Sequence, residues 1–177
     1  MLSKTMATAL NEQMNREFYS AYLYLSMSAY SAYIGLKGAA NWFYVQYQEE
    51  MVHFDKLYHY ILNQGALLEL KAVQAPPVEF KSLMDMFEQT LKHEQFVTQS
   101  INERVDLAVK EKDHASEVFL QWYVTEQVEE EANDNDVLAR LRLAGKDGNG
   151  LFMVDKELAT RVFVPPPAPG AGASAAN

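Results

Sequence analysis

Cysteine is absent from the sequence, which removes disulfides, thiolate zinc sites, iron–sulfur clusters and cysteine nucleophiles. Any metal must then be held by oxygen and imidazole. Long apolar runs are absent too. Nothing approaches the roughly 18 residues a membrane span requires, and Met1, Leu2, Ser3, Lys4 and Thr5 lead into a polar amphipathic stretch instead of a signal-peptide core. A cytoplasmic protein with no membrane partner is expected. Basic residues are in the minority, 15 against 24 acidic ones, for a net charge of -9. That balance gives no global attraction for nucleic-acid phosphates and makes cations the natural ligands. Proline is confined to Pro76, Pro77, Pro165, Pro166, Pro167 and Pro169, so residues 1–75 and 78–164 lack the strongest helix breaker.

What is present is the composition of a packed protein. The 177 residues are 49% hydrophobic and 12% aromatic, enough for a substantial core and too few for two comfortable domains. One domain over residues 1–164 is expected, followed by a Pro/Gly/Ala-rich tail over 165–177 that is expected to be disordered. Gly35, Gly38 and Gly65 place helix α1 at about 4–34 and α2 at about 38–64, with a long connection at about 65–80. The polar cluster Lys110 to Asp113 and the glycines Gly145, Gly148 and Gly150 place α3 at about 81–110, α4 at about 114–144 and a short α5 at about 149–162.

Residues recur along each long helix at steps of three and four, the period of one helical face. The stripes are Leu10, Met14, Glu17, Ala21, Tyr24, Ser28 in α1 and Trp42, Gln46, Glu50, His53, Leu57, Tyr60 in α2. In α3 they are Met84, Phe87, Leu91, Glu94, Thr98, Ile101, Val105, Ala108, and in α4 Phe119, Trp122, Tyr123, Glu126, Gln127, Glu130, Val137, Leu138, Leu141. Each stripe carries a carboxylate near its middle. Short α1–α2 and α3–α4 turns with one long connection describe an all-α four-helix bundle whose connection crosses its length, so that α2 and α3 run parallel. The connection is long enough, since about 16 extended residues reach roughly 50 Å while a helix of about 27 residues spans about 40 Å.

A constant offset of 77 residues relates Glu17 to Glu94, Trp42 to Phe119, Glu49 to Glu126, Glu50 to Gln127 and His53 to Glu130. The two hairpins are thus copies of one pattern, and packing them about a pseudo-twofold axis brings these groups to one level. Several carboxylates buried together repel one another and are tolerated when cations offset their charge. Oxygen donors suit ions such as iron and manganese, a carboxylate can bridge two ions, and a histidine three residues from a glutamate shares its helical face. Glu50 and His53 form such a pair; the corresponding pair in the second hairpin is Gln127 and Glu130.

The run from Glu17 through Tyr24 to Ser26, the stretch Gln48-Glu49-Glu50-Met51-Val52-His53, the pair His93-Glu94, and Glu126-Gln127 followed by Glu129-Glu130-Glu131 resemble the non-haem ferritins of bacteria and archaea. The resemblance covers about residues 1–164. It implies a ferritin-like four-helix bundle with a long crossover between the second and third helices and a short fifth helix. It also implies iron storage in a homo-oligomeric shell of 24 subunits, with Fe(II) oxidised to Fe(III) by O2 or hydrogen peroxide. Carried over by position, one iron would be held by Glu17, Glu50 and His53, and the second by Glu50, Glu94 and Glu130. Gln127 would be the hydrogen-bonding glutamine, Tyr24 the redox-capable tyrosine, and Glu49, Glu126 and Glu129, sharing Glu130, a third iron site.

Blander readings stand beside these. A single Glu in an apolar stripe commonly reaches solvent, a single His is commonly a satisfied core residue, and Tyr24 is one of ten tyrosines. Between His114 and Ala139 lie seven acidic residues and no Lys or Arg, of which Glu117 and Glu131 read as a solvated face. Met51 sits where bacterioferritins carry a haem-ligating methionine, but Gln127 with Glu130 departs from their second Glu-x-x-His, and no haem is expected. A haem bacterioferritin, another soluble di-iron oxidoreductase, and a structural bundle without turnover are the alternatives. Helix α5, with Leu151, Phe152, Val154, Leu158 and Val162, is apolar enough to need burial and looks too short to join the bundle; the ferritin resemblance implies that its apolar face is an oligomer contact.

Overall fold

The computed structural model describes residues 1–145 and 147–165, so the expected tail beyond Pro165 lies outside the described residues. The described chain forms α1 Lys4–Tyr33, α2 Lys37–Asn63, α3 Leu83–Glu111, α4 His114–Ala144 and α5 Gly148–Leu158. The starts of all but α2 are set by side chains that accept otherwise unpaired backbone N–H groups. Ser3 accepts from Met6, Ser82 from Asp85, Asp113 from Ser116, and Asp147 from Asn149 and Gly150. Ser82 is why α3 starts two residues later than its expected position. Left-handed backbone at Gly35 (φ 87°) and Gly65 (φ 72°) turns the chain after α1 and α2.

Contacts fix the directions. Ser3 meets Glu111, Tyr24 meets Glu94 and Ser31 meets Met86, so α1 and α3 are antiparallel. Gln46 meets Glu130, His53 meets Tyr123 and Tyr60 meets Ser116, so α2 and α4 are antiparallel. Since α1 and α2 are also antiparallel, with Ser28 donating to the Ala40 carbonyl, α2 and α3 run parallel as expected. The crossover lies along α1. The Asn11 and Asn15 side chains bond the backbone of Leu67, Glu69 and Lys71, and Ser26 donates to the Pro77 carbonyl. These amides supply partners that a strand would otherwise provide.

The core has two apolar clusters. One contains Tyr24, Trp42, Phe43, Phe87 and Val137, the other Met14, Leu57, Ile61, Val97 and Tyr123. On the long helices Glu17, Gln46, Glu50, His53, Glu94, Gln127 and Glu130 fall between them. The α1 stripe is buried throughout, but Tyr60, Met84, Leu91, Thr98, Val105, Phe119, Trp122 and Glu126 are only half-buried. The reason is rotation of the inner face: α3 buries Met86, Thr90, Val97, Ser100 and Arg104, and α4 buries Ser116, Leu120 and Asp134. Glu117 and Glu131, expected on a solvated face, are likewise half-buried, and Glu131 accepts from Thr98 at 2.6 Å.

Helix α5 departs from expectation twice. It ends at Leu158 because the Asn41 side chain captures carbonyls of Leu158, Ala159 and Arg161, drawing the following chain across α2. It also joins the bundle, burying Val154 and Leu158 in the first apolar cluster. Gly38 permits this, since a Cβ there would lie 1.6 Å from the Asp155 carbonyl oxygen. The Asp155 carboxylate accepts from the Ala39 N–H at 2.8 Å. Phe152, Met153 and Val162 remain exposed.

Candidate metal centre

Of the eight sequence-predicted ligands, five are buried between the two clusters: Glu17, Glu50, His53, Glu94 and Glu130. One group is already assembled. A ligand atom from each of Glu17, Glu50 and His53 lies within 4.8 Å of the others. The His53 Nδ1 to Glu50 Oε2 distance is 3.3 Å. Glu17 Oε1 accepts from the Gln13 amide at 2.7 Å, but Glu17 Oε2 and Glu50 Oε2 are buried without a hydrogen bond, Glu50 Oε2 having only the His53 contact. A buried carboxylate oxygen left unpaired is costly, and a bound cation is what two of them beside an imidazole can accept.

Glu94 and Glu130 are engaged differently. Tyr24 donates its hydroxyl to Glu94 Oε1, and the Gln127 amide donates to Glu94 Oε2 at 3.0 Å and to Thr98 at 3.3 Å. The Gln46 amide donates to Glu130 Oε2 at 2.7 Å. Both glutamates on α3 and α4 thus hold hydrogen bonds that a metal would have to share or displace. Tyr24 and Gln127, the two residues expected to assist the centre, both act on Glu94.

Burial dominates the electrostatics. It pushes Glu17 up to about 8, with repulsion from Glu50 second, and Glu130 up to about 7, with repulsion from Glu94 second. Glu50 is held well above the usual carboxylate range by burial and by Glu94 and Glu130; Glu94 is raised by burial and partly relieved by Tyr24 and Gln127. The Tyr24 phenol is driven well up by burial and by the Glu94 charge. Without metal, protons offset much of this acidity; divalent cations can replace them.

Glu49, Glu126 and Glu129 gather apart from the assembled group. With His53, Glu130 and Arg161 they line an open cavity of about 300 Å³. Glu49 and Glu126 are half-buried and Glu129 is exposed. Burial raises Glu49, and the Arg161 charge opposes that rise. Met51 lines a different, apolar groove with Phe18, Tyr22, Tyr47 and Val73 that contains none of the candidate ligands.

Comparison with known proteins decides the family. A ferritin-like domain model matches residues 7–144. The chain belongs to the ferritin family. It is 46% identical over 158 residues to a probable bacterial non-haem ferritin-like protein of Haemophilus influenzae, covering 89% of this chain and 96% of that one. It is 45% identical over 160 residues to the bacterial non-haem ferritin of Escherichia coli O157:H7, covering 90% and 97%. An open-pore ferritin from the archaeon Archaeoglobus fulgidus superposes with a TM-score of 0.90 at 49% identity, covering 92% of this chain and 100% of that one. Iron storage and oxidation of Fe(II) are the activity of this non-haem ferritin.

Two site residues escape sequence reasoning. Asp134, 1% exposed, has an unpartnered Oδ2 and is raised to about 9 by burial and by Glu94 and Glu130. It lies one helical turn after Glu130, a spacing that is a usable signal. The 77-residue offset pointed away from it, because the matching residue is the apolar Leu57. Arg161 is the other. It reaches the centre from beyond α5, and nothing in its local sequence marks it.

Proposed function

We propose that this ferritin oxidises iron at a dinuclear centre inside each bundle. One Fe(II) is taken by Glu17, Glu50 and His53, and the other by Glu94 and Glu130 with Glu50 bridging. The observation that carries this reading is the buried Glu17, Glu50 and His53 group with its two unpaired carboxylate oxygens. Each Fe(II) gives one electron to O2 or hydrogen peroxide. The chain's own contribution is positioning and charge: four buried carboxylates release protons as the ions enter and stay to neutralise the higher charge of Fe(III). Gln127 and Gln46 orient Glu94 and Glu130, and Tyr24, whose hydroxyl donates to Glu94, is the redox-capable side chain of this reading.

Glu49, Glu126 and Glu129, with Glu130 shared, form a third iron site in the neighbouring cavity. Exposed apolar residues of α5 take part in assembly into a 24-subunit shell whose cavity holds the mineral, in the cytoplasm. Support for that assembly is the superposition on complete ferritin chains.

Aerobic Fe(II) oxidation at matched iron load tests the centre. Glu50→Ala and His53→Ala should oxidise iron far more slowly than the parent; equal rates in all three would remove the proposed centre. Sizing in solution tests the shell, since a stable monomer of 20.1 kDa would leave no cavity.

A further inference from the structure

The third-site cavity already contains a cation, and the chain supplies it. Arg161 Nη2 lies 2.5 Å from Glu49 Oε2, and its Nη1 donates to Gln46 Oε1 at 2.7 Å. The guanidinium carbon stands 4.3 Å from the centroid of the Trp42 ring, an arrangement that favours a cation. The Asn41 side chain holds the Arg161 carbonyl at 2.9 Å, so the backbone bearing this side chain is fixed as well. Phe163 and Val164 follow it along the same cavity. Four contacts from three consecutive turns of α2 thus seat one residue of the segment after α5. Glu49 and Arg161 are both largely shielded, with side chains 27% and 18% exposed, so the pair is stronger than an ordinary surface bridge.

We infer that Arg161 is a tethered cation of the third site: it neutralises Glu49 when no metal is bound there and competes with an entering metal ion for Glu49 Oε2. An arginine has donors only, and Glu49 cannot give the same oxygen fully to a guanidinium and to a metal. The segment after α5 therefore sets how readily the third site fills. The proposal rests on the third-site reading given above. A second consequence follows from Gln46. Because Arg161 can only donate, Gln46 must turn its carbonyl to Arg161, which leaves its amide nitrogen for Glu130 Oε2 at 2.7 Å. Arg161 is thus a positioning residue for Glu130, acting through one side chain.

The experiment is calorimetric titration of the assembled apo-protein with Zn(II), which has no redox chemistry to confuse the count. It compares the parent with Arg161→Met, Arg161→Lys and the double variant Glu126→Gln/Glu129→Gln. Three equivalents per subunit are expected in the parent, the weakest lost in the double variant. Arg161→Met should bind that weakest equivalent at least about tenfold more tightly, and Arg161→Lys, which keeps the charge but loses the fork, should change it less. Tryptophan fluorescence in a Trp122→Phe background, which removes the other tryptophan of this cavity, reads Trp42 alone, and circular dichroism of each variant checks its folding separately. The third equivalent should shift the parent's emission as the guanidinium leaves Trp42, and the shift should be smaller in Arg161→Met. A third equivalent that is lost in the double variant yet has equal affinity in the parent and Arg161→Met overturns the role of Arg161 and leaves the third site standing. Two equivalents in every variant overturn both.

Discussion

The two halves of the candidate metal centre are built from one repeated pattern and are not alike. On the α1/α2 side, Glu17, Glu50 and His53 converge with two unpaired oxygens. On the α3/α4 side, Glu94 and Glu130 are occupied by Tyr24, Gln127 and Gln46. The repeat explains the difference: where the first hairpin has Glu50 and His53, the second has Gln127 and Glu130. An amide is a donor as well as an acceptor, so Gln127 satisfies Glu94 internally instead of adding a charge. One half is a preformed acceptor of cations. The other is a self-satisfied pair that must open to receive one.

Breaking the shared member should have the largest effect. Glu50→Ala removes the carboxylate proposed to bridge the two ions, and we expect Fe(II) oxidation followed by stopped-flow absorbance to fall by about 100-fold or more. His53→Ala, confined to the first half, should cost less than Glu50→Ala but still more than tenfold by the same measurement. The second half gives a contrary expectation. Tyr24→Phe leaves Glu94 Oε1 without its donor, so the apo-protein should lose about 1–3 kcal/mol of stability in thermal unfolding. Its second Zn(II) equivalent should bind more tightly, because no hydrogen bond has to be given up.

The carboxyls also set a pH dependence. Folding raises Glu17 to about 8, Glu130 to about 7 and Asp134 to about 9, each above its ordinary range near 4. An acid whose pKa is raised by folding binds more protons in the native state, so ionisation disfavours that state. Apo-protein stability should therefore fall as pH rises from about 5 to about 9, and saturating Zn(II) should flatten the decline by replacing the protons. Within that trend Asp134→Asn is the smallest expected change. It keeps the shape without the ionisable group, so apo stability should rise by about 1 kcal/mol or more at pH 9 and change little at pH 5. Thermal unfolding across that range reads both.

Much of this arrangement is legible from the sequence because helical periodicity and proline placement are local signals. Confined prolines leave the long helices uninterrupted, and the stripe in α1 is buried residue for residue. The grouping of the five central candidate ligands, Glu17, Glu50, His53, Glu94 and Glu130, is legible for another reason: a repeated offset tests several positions at once, and the structure buries all five. What escaped is non-local or breaks the repeat. The inner faces of α3 and α4 are rotated by packing that no single helix reveals. Helix α5 joins the bundle through Gly38, whose value lies in what approaches it from over a hundred residues away. Asp134 breaks the internal symmetry, and Arg161 acts from an arm held by Asn41.

The most direct test of the asymmetry is the position of the first metal ion. Crystals of the apo-protein exposed to one equivalent of Zn(II) per subunit should show anomalous scattering among Glu17, Glu50 and His53, with little at Glu94 and Glu130. Filling of Glu94 and Glu130 first, or of both halves equally, would contradict a preformed first half.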